Sequence, residues 1–78
     1  METVIYINSV YDASRFVTEI TSIKSDIDAI YNNSVVDAKS YLGILLVSAH
    51  PLTIRLHSDD EEEIKKFIGI CEKYNMEE

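Results

Sequence analysis

The spacing of apolar residues in this chain switches repeatedly between two and three-to-four, and few folds accommodate that alternation in so short a length. Leu52, Ile54 and Leu56 alternate with Thr53, Arg55 and His57, the period of a strand with one buried face. Only a few residues later Ile64, Phe67, Ile68, Cys71 and Tyr74 recur at three and four, which lays one stripe along a helix. The same switch occurs near the start. Thr3–Ile7 (TVIYI) is short, β-branched and aromatic and predicts a strand, whereas Phe16, Val17, Ile20 and Ile23 predict a helix that begins near Ala13 with Asp12 as its N-cap and stops at Ser25-Asp26.

The middle of the chain adds a hairpin and a short helix. Ile27, Ala29 and Tyr31 read as one strand and Val35-Val36 as its antiparallel partner, joined at Asn32-Asn33, residues that tolerate the positive φ of a tight turn. Ser40 then precedes Tyr41, Leu42, Ile44, Leu45 and Leu46, enough for one or two helical turns before Ser48 and the His50-Pro51 break. Ser58 with Glu61 has the form of a capping box for the last helix. The acidic run Asp59–Glu63 suits the positive end of that helix rather than a metal site. The order is βαββαβα, which implies an α+β open-faced sandwich: a four-stranded, largely antiparallel sheet with helices on one face.

Seventy-eight residues form one domain, 1–78. A chain of this size buries roughly 60 % of its surface, too little to enclose a deep enzyme cleft. Fourteen acidic residues against seven basic ones leave a net charge of -7, which disfavours nucleic acid. The single cysteine, Cys71, excludes a disulfide framework and a thiolate metal cluster, suits core packing and fits a reducing cytoplasm. The start METVIYINS lacks the basic and apolar regions of a signal peptide, and no run approaches the roughly 18 apolar residues of a membrane span. Neither cofactor nor metal is expected; His50 and His57 have no accompanying cysteine or carboxylate spacing.

With the element order in hand, the segments SRFVTEI and AKSYLGIL make the chain resemble HPr, the small phosphocarrier of the bacterial sugar phosphotransferase system, over nearly its whole length. The first segment is similar to the phenylalanine-valine pair of that family's first helix, and the second to its lysine-serine entrance to the second helix. The Lys39, Ser40 and Gly43 pattern is most similar to the low-GC Gram-positive branch. The resemblance implies the HPr fold and a protein that is not itself an enzyme.

The family's carrier segment, of the type G-L-H-x-R-P-A, has no counterpart here. Asn8 to Arg15 contains no histidine, and counting back from Phe16 places the carrier histidine near Ser9, the supporting arginine at Tyr11 and the proline at Asp12. Arg15, immediately before Phe16, does not match the family arginine. A neutral imidazole is a good nucleophile near pH 7 and forms a phosphoramidate labile enough to be passed on; a serine ester is far more stable. The resemblance therefore implies a degenerate member, unable to carry phosphate on the usual histidine.

What the resemblance leaves in place is Ser40. It corresponds to the serine that an ATP-dependent HPr kinase modifies in the Gram-positive branch, while as a plain N-cap it would stabilise the helix by about 1 kcal/mol with no regulation involved. A phosphate there would meet free backbone N–H groups with Lys39 adjacent. Tyr41, Leu42, Ile44, Leu45 and Leu46 are more apolar residues than one short helix can bury, so Lys39, Tyr41, Leu42, Ile44, Leu45 and Val47 are the expected docking surface. The alternative reading is that Tyr41 and Leu45 complete the core. The partners that the resemblance implies are proteins: HPr kinase, a transcription regulator or phosphotransferase enzymes. His50, in the turn before the last strand, is the alternative phosphoacceptor, and His57 is expected to face solvent at a strand end.

Overall fold

A computed structural model of the protein describes residues 1–48 and 51–75. The elements run β1 (Glu2–Ile5), α1 (Val10–Ile20), β2 (Ile27–Tyr31), β3 (Ser34–Asp37), α2 (Tyr41–Val47), β4 (Leu52–Leu56) and α3 (Glu61–Cys71), with a 3₁₀ turn at Glu72–Tyr74. This is the expected βαββαβα order. All strand pairs are antiparallel and the sheet order is β1-β4-β2-β3, so the last strand lies between the first and the second.

The strand periods place one face of the sheet under the helices. Ile5, Ile27, Ala29, Leu52, Ile54 and Leu56 point to that face and are buried, and Ala13, Phe16 and Ile20 of α1 with Phe67, Ile70 and Cys71 of α3 close over them. No polar or charged residue is buried among the described residues. Tyr74 seals one end, its ring edge-on to Phe16 with centroids 5.3 Å apart and its hydroxyl donating to Glu19 at 2.6 Å. Cys71 is a packing residue; burial pushes its thiol up to about 12, leaving it unreactive near neutral pH.

Three boundaries in the first part of the chain differ from the sequence reading, because hydrogen bonds with no part in the apolar pattern decide the end. β1 stops at Ile5 rather than Ile7, and the Tyr6 N–H donates to the Tyr74 carbonyl at 2.6 Å. α1 starts three residues before Ala13: Ser9, not Asp12, is the N-cap, its Oγ accepting the Asp12 N–H at 3.1 Å. Val10 and Tyr11 are exposed, so this first turn leaves no mark in the hydrophobic stripe. α1 ends at Ile20, short of Ser25-Asp26, where the Thr21 and Ser22 hydroxyls donate to the Val17 and Glu19 carbonyls. Ile23 is still buried, in the turn that follows.

The expected Ser58–Glu61 capping box does not form. Asp60 is the N-cap of α3, its Oδ1 accepting the Glu62 N–H at 2.8 Å and the Glu63 N–H at 3.4 Å. Ser58 serves Glu63 instead. The Glu63 carboxylate accepts the Ser58 hydroxyl at 2.7 Å, the Ser25 hydroxyl at 2.5 Å and the backbone N–H groups of Lys24 and Ser25 at 3.1 and 3.3 Å. One side chain thus ties the start of α3 to the loop between α1 and β2. Hydrogen bonds led by those from Ser25 and Ser58 hold the Glu63 carboxyl at about 2, against an ordinary value of 4.5.

Because that pKa is depressed on folding, the Glu63 contribution to stability is complete above pH 4.5 and is lost as the pH falls towards 2. Thermal melts followed by circular dichroism should show wild type losing melting temperature across this window. Glu63→Gln should melt lower at pH 7 and show a shallower decline over the same window.

Candidate modification and docking site

The entrance to α2 is built by the end of β3. The Ala38 N–H donates to the Ile27 carbonyl at 2.9 Å, holding the chain against β2 as it leaves the sheet. Asp37 then shapes the turn: its Oδ1 accepts the Lys39 N–H at 2.9 Å and its carbonyl accepts the Ser40 N–H at 3.0 Å. Ser40 is extended, at φ -94° and ψ 115°, and its Oγ accepts the Gly43 N–H at 3.1 Å. The N-cap geometry expected from the sequence is present, and the residue is half-buried.

Gly43 is constrained by this entrance. A Cβ there would stand 3.3 Å from the Ser40 Cβ and Oγ and 3.3 Å from the Val36 Cβ, so a side chain at this position would crowd both the cap and the approach of the helix to β3. Lys39 does not point at Ser40. Its Nζ donates to the Ile23 carbonyl at 2.5 Å, bracing the turn after α1, which corrects its expected role on the docking surface.

The apolar residues of α2 divide between two faces. Ile44 is fully buried and Val47 only 7 % exposed, so both leave the expected docking set; they anchor the helix on the sheet. Leu45 is partly buried against the core. Leu42 and Leu46, one turn apart, are 72 % and 82 % exposed, and Tyr41 is 39 % exposed. Leu46 was absent from the expected docking residues, although its i,i+4 spacing from Leu42 marks it once Ile44 and Val47 define the inner face. α1 packs against α2, and the exposed Val10 and Tyr11 stand in its first turn. Those two could be read from the sequence only by recognising Ser9 as the cap.

The other sequence candidates are dispersed. Ser9, Tyr11 and Asp12 lie in the capped first turn of α1, where Ser9 Oγ is occupied as an acceptor. Arg15 acts on Glu19 one turn further along, away from the helix entrance. Burial pushes the Glu19 carboxyl up, but hydrogen bonds from Lys73 and Tyr74 and the charges of Lys73 and Arg15 hold it below its ordinary value. His57 is exposed and meets Asp28 Oδ2 at 2.6 Å. His50 lies outside the described residues. Among the described residues no cluster of three potential metal ligands occurs, and no helix is long and apolar enough to cross a membrane.

No protein-family model and no curated protein sequence matches the chain. Solved structures do. HPr-C-His from Thermoanaerobacter tengcongensis aligns with a TM-score of 0.73 over 100 % of this chain and 98 % of its own, at 26 % identity. The chain has the HPr fold. The phosphocarrier protein HPr from Bacillus anthracis aligns with a TM-score of 0.73 at 19 % identity, covering 96 % of both chains. Crh, a catabolite repression protein from Bacillus subtilis, aligns with a TM-score of 0.66 at 20 % identity, covering 96 % of this chain and 90 % of its own. At those identities the latter two relate the fold alone.

Substitutions at Ser40 and Gly43, with Gly69 of α3 as the reference, probe how this HPr-like entrance is built. Ser40→Ala should cost about 1 kcal/mol through loss of the cap. An added methyl at Gly69 meets nothing within 4 Å, so Gly69→Ala should gain about 1 kcal/mol from helix propensity. Gly43→Ala should show no such gain, because the new Cβ crowds Ser40 and Val36. Denaturant melts of the three variants check both statements.

Proposed function

We propose that this protein is a member of the HPr family and a cytoplasmic, non-enzymatic regulatory module of the phosphotransferase type, which docks on protein partners and is switched by phosphorylation at Ser40. The observation that carries the reading is a contrast between two helix entrances. At α1 a serine cap stands where the family resemblance places the carrier histidine, and residues 8–15 supply no imidazole. At α2 the family-like serine is retained, and the same helix turns Leu42 and Leu46 to solvent.

The chemistry favours regulation over transfer. A phosphoserine ester is too stable to pass its phosphoryl group on, but it adds a charge of roughly -1.5 to -2 within a turn of Leu42 and within about two turns of Leu46. That charge would alter which partner surface the leucines accept. Since α2 has only seven residues and the Lys39 ammonium is engaged elsewhere, the modification would act mainly on the partner rather than by tightening its own helix. The partner in this reading is a transcription regulator, as the family resemblance implies; the likeness to Crh is one of fold alone.

Labelling with two phosphoryl donors tests the proposal. With ATP and an HPr kinase, acid-stable label should appear in wild type and vanish in Ser40→Ala. With phosphoenolpyruvate and the first enzyme of the phosphotransferase system, no acid-labile label should form. Acid-labile label that is lost in His50→Ala would overturn the reading and make the protein a phosphoryl carrier. Absence of label from both reactions would remove the switch and leave an HPr-fold scaffold.

A further inference from the structure

The sheet face turned away from the helices is patterned in two rows. Cross-strand register places Val4, Thr53, Ile30 and Val35 side by side across all four strands, with Val4↔Thr53, Ile30↔Thr53 and Ile30↔Val35 as direct pairs. Val4 is 44 % and Val35 60 % exposed, with Ile30 and Thr53 partly so. Two residues further along each strand, the register aligns Glu2, Arg55, Asp28 and Asp37. A solvated sheet face is expected to be polar throughout, as its second row is; here the neighbouring row is a continuous band of β-branched side chains, three of them wholly apolar.

The charged row is acidic and incompletely neutralised. Arg55 is occupied by Glu2 at 2.6 Å and His57 by Asp28 at 2.6 Å, while among the described residues Asp37 and the nearby Asp26 form no ion pair. Asp26, Asp28, Asp37 and His57 line an open depression beside the apolar band. The band crosses three inter-strand spacings of roughly 4.8 Å each, a width suited to a short peptide segment. With a net charge of -7, the chain repels a second copy of itself, nucleic acid and anionic membranes, and attracts a basic partner at long range.

We propose that this open sheet face is a second docking surface, separate from α2, for a basic amphipathic peptide segment. Its apolar side chains would cover Val4, Ile30 and Val35, and its lysines or arginines would meet Asp28 and Asp37. The helices and this face lie on opposite sides of one sheet, so the two surfaces can be occupied together.

The probe is a synthetic peptide of about 14 residues with leucines on one helical face and lysines on the other, titrated into ¹⁵N-labelled full-length protein; a glutamate-for-lysine peptide is the control. Amide shifts should concentrate on Val4, Ile30, Thr53 and Val35, and the control peptide should not bind. Val35→Lys should weaken binding about tenfold, because it removes an apolar contact and sets a cation against a basic peptide. Asp28→Asn should weaken it less and reduce its salt dependence. Val35 is exposed on an edge strand, so Val35→Lys should keep a dispersed spectrum; if it does not, Val4→Lys takes its place. Shifts confined to Leu42 and Leu46, unchanged affinity in both lysine variants, or no binding would overturn the proposal. So would a dimer, detected by sedimentation, that the lysine variants dissociate.

Discussion

β4 is the strand on which the rest of the fold depends. It pairs with β1 on one side and β2 on the other, and it sends Leu52, Ile54 and Leu56 into the core. Until it inserts, β1 and the β2-β3 hairpin have no common edge, and α1 and α3 have no continuous apolar floor. The pairing Thr3↔Ile54 joins residues about fifty positions apart, so an entropic cost of loop closure precedes the gain from burial. Once it forms, α1, α2 and α3 are committed to one face and the other face is left open.

Polar side chains then fix what the apolar layer leaves loose. Glu63 gathers two hydroxyls and two backbone N–H groups from separate loops, Lys39 holds the turn after α1, and the Glu19 carboxylate takes the Tyr74 hydroxyl and the Lys73 ammonium. None of these groups is fully buried, so each interaction is screened by water and individually modest. Their importance is geometric: they set where helices start and how loops cross, and hence which way the mouth of α2 faces.

This division of labour shapes the proposed site. A helix of seven residues has a small contact area, and Ile44 and Val47 must both face inward to hold it on the sheet. Leu42 and Leu46 then turn outward, and apolar side chains that stand in solvent this way are the basis of the docking proposal. The entrance to α1 is capped in the same manner as that of α2, by a serine whose Oγ accepts the N–H three residues on.

Much of this was legible in the amino-acid sequence, because hydrophobic period is a local property. A spacing of two or of three-to-four names each element without knowledge of its neighbours, and Asn32, at φ 54°, and Ser40 carry their conformational preferences with them. Caps were less legible: Ser9 and Asp12, or Ser58 and Asp60, offer similar oxygens a few residues apart, and only the path of the preceding strand selects one. The sequence by itself determined the element order, the two-layer class and the retention of a serine at the second helix. Tertiary structure decided that β4 lies between β1 and β2, that Leu42 and Leu46 face outward while Ile44 and Val47 do not, and that Lys39 turns away from Ser40. Those outcomes depend on long-range pairing and on the angle at which a helix meets the sheet, which no local pattern encodes.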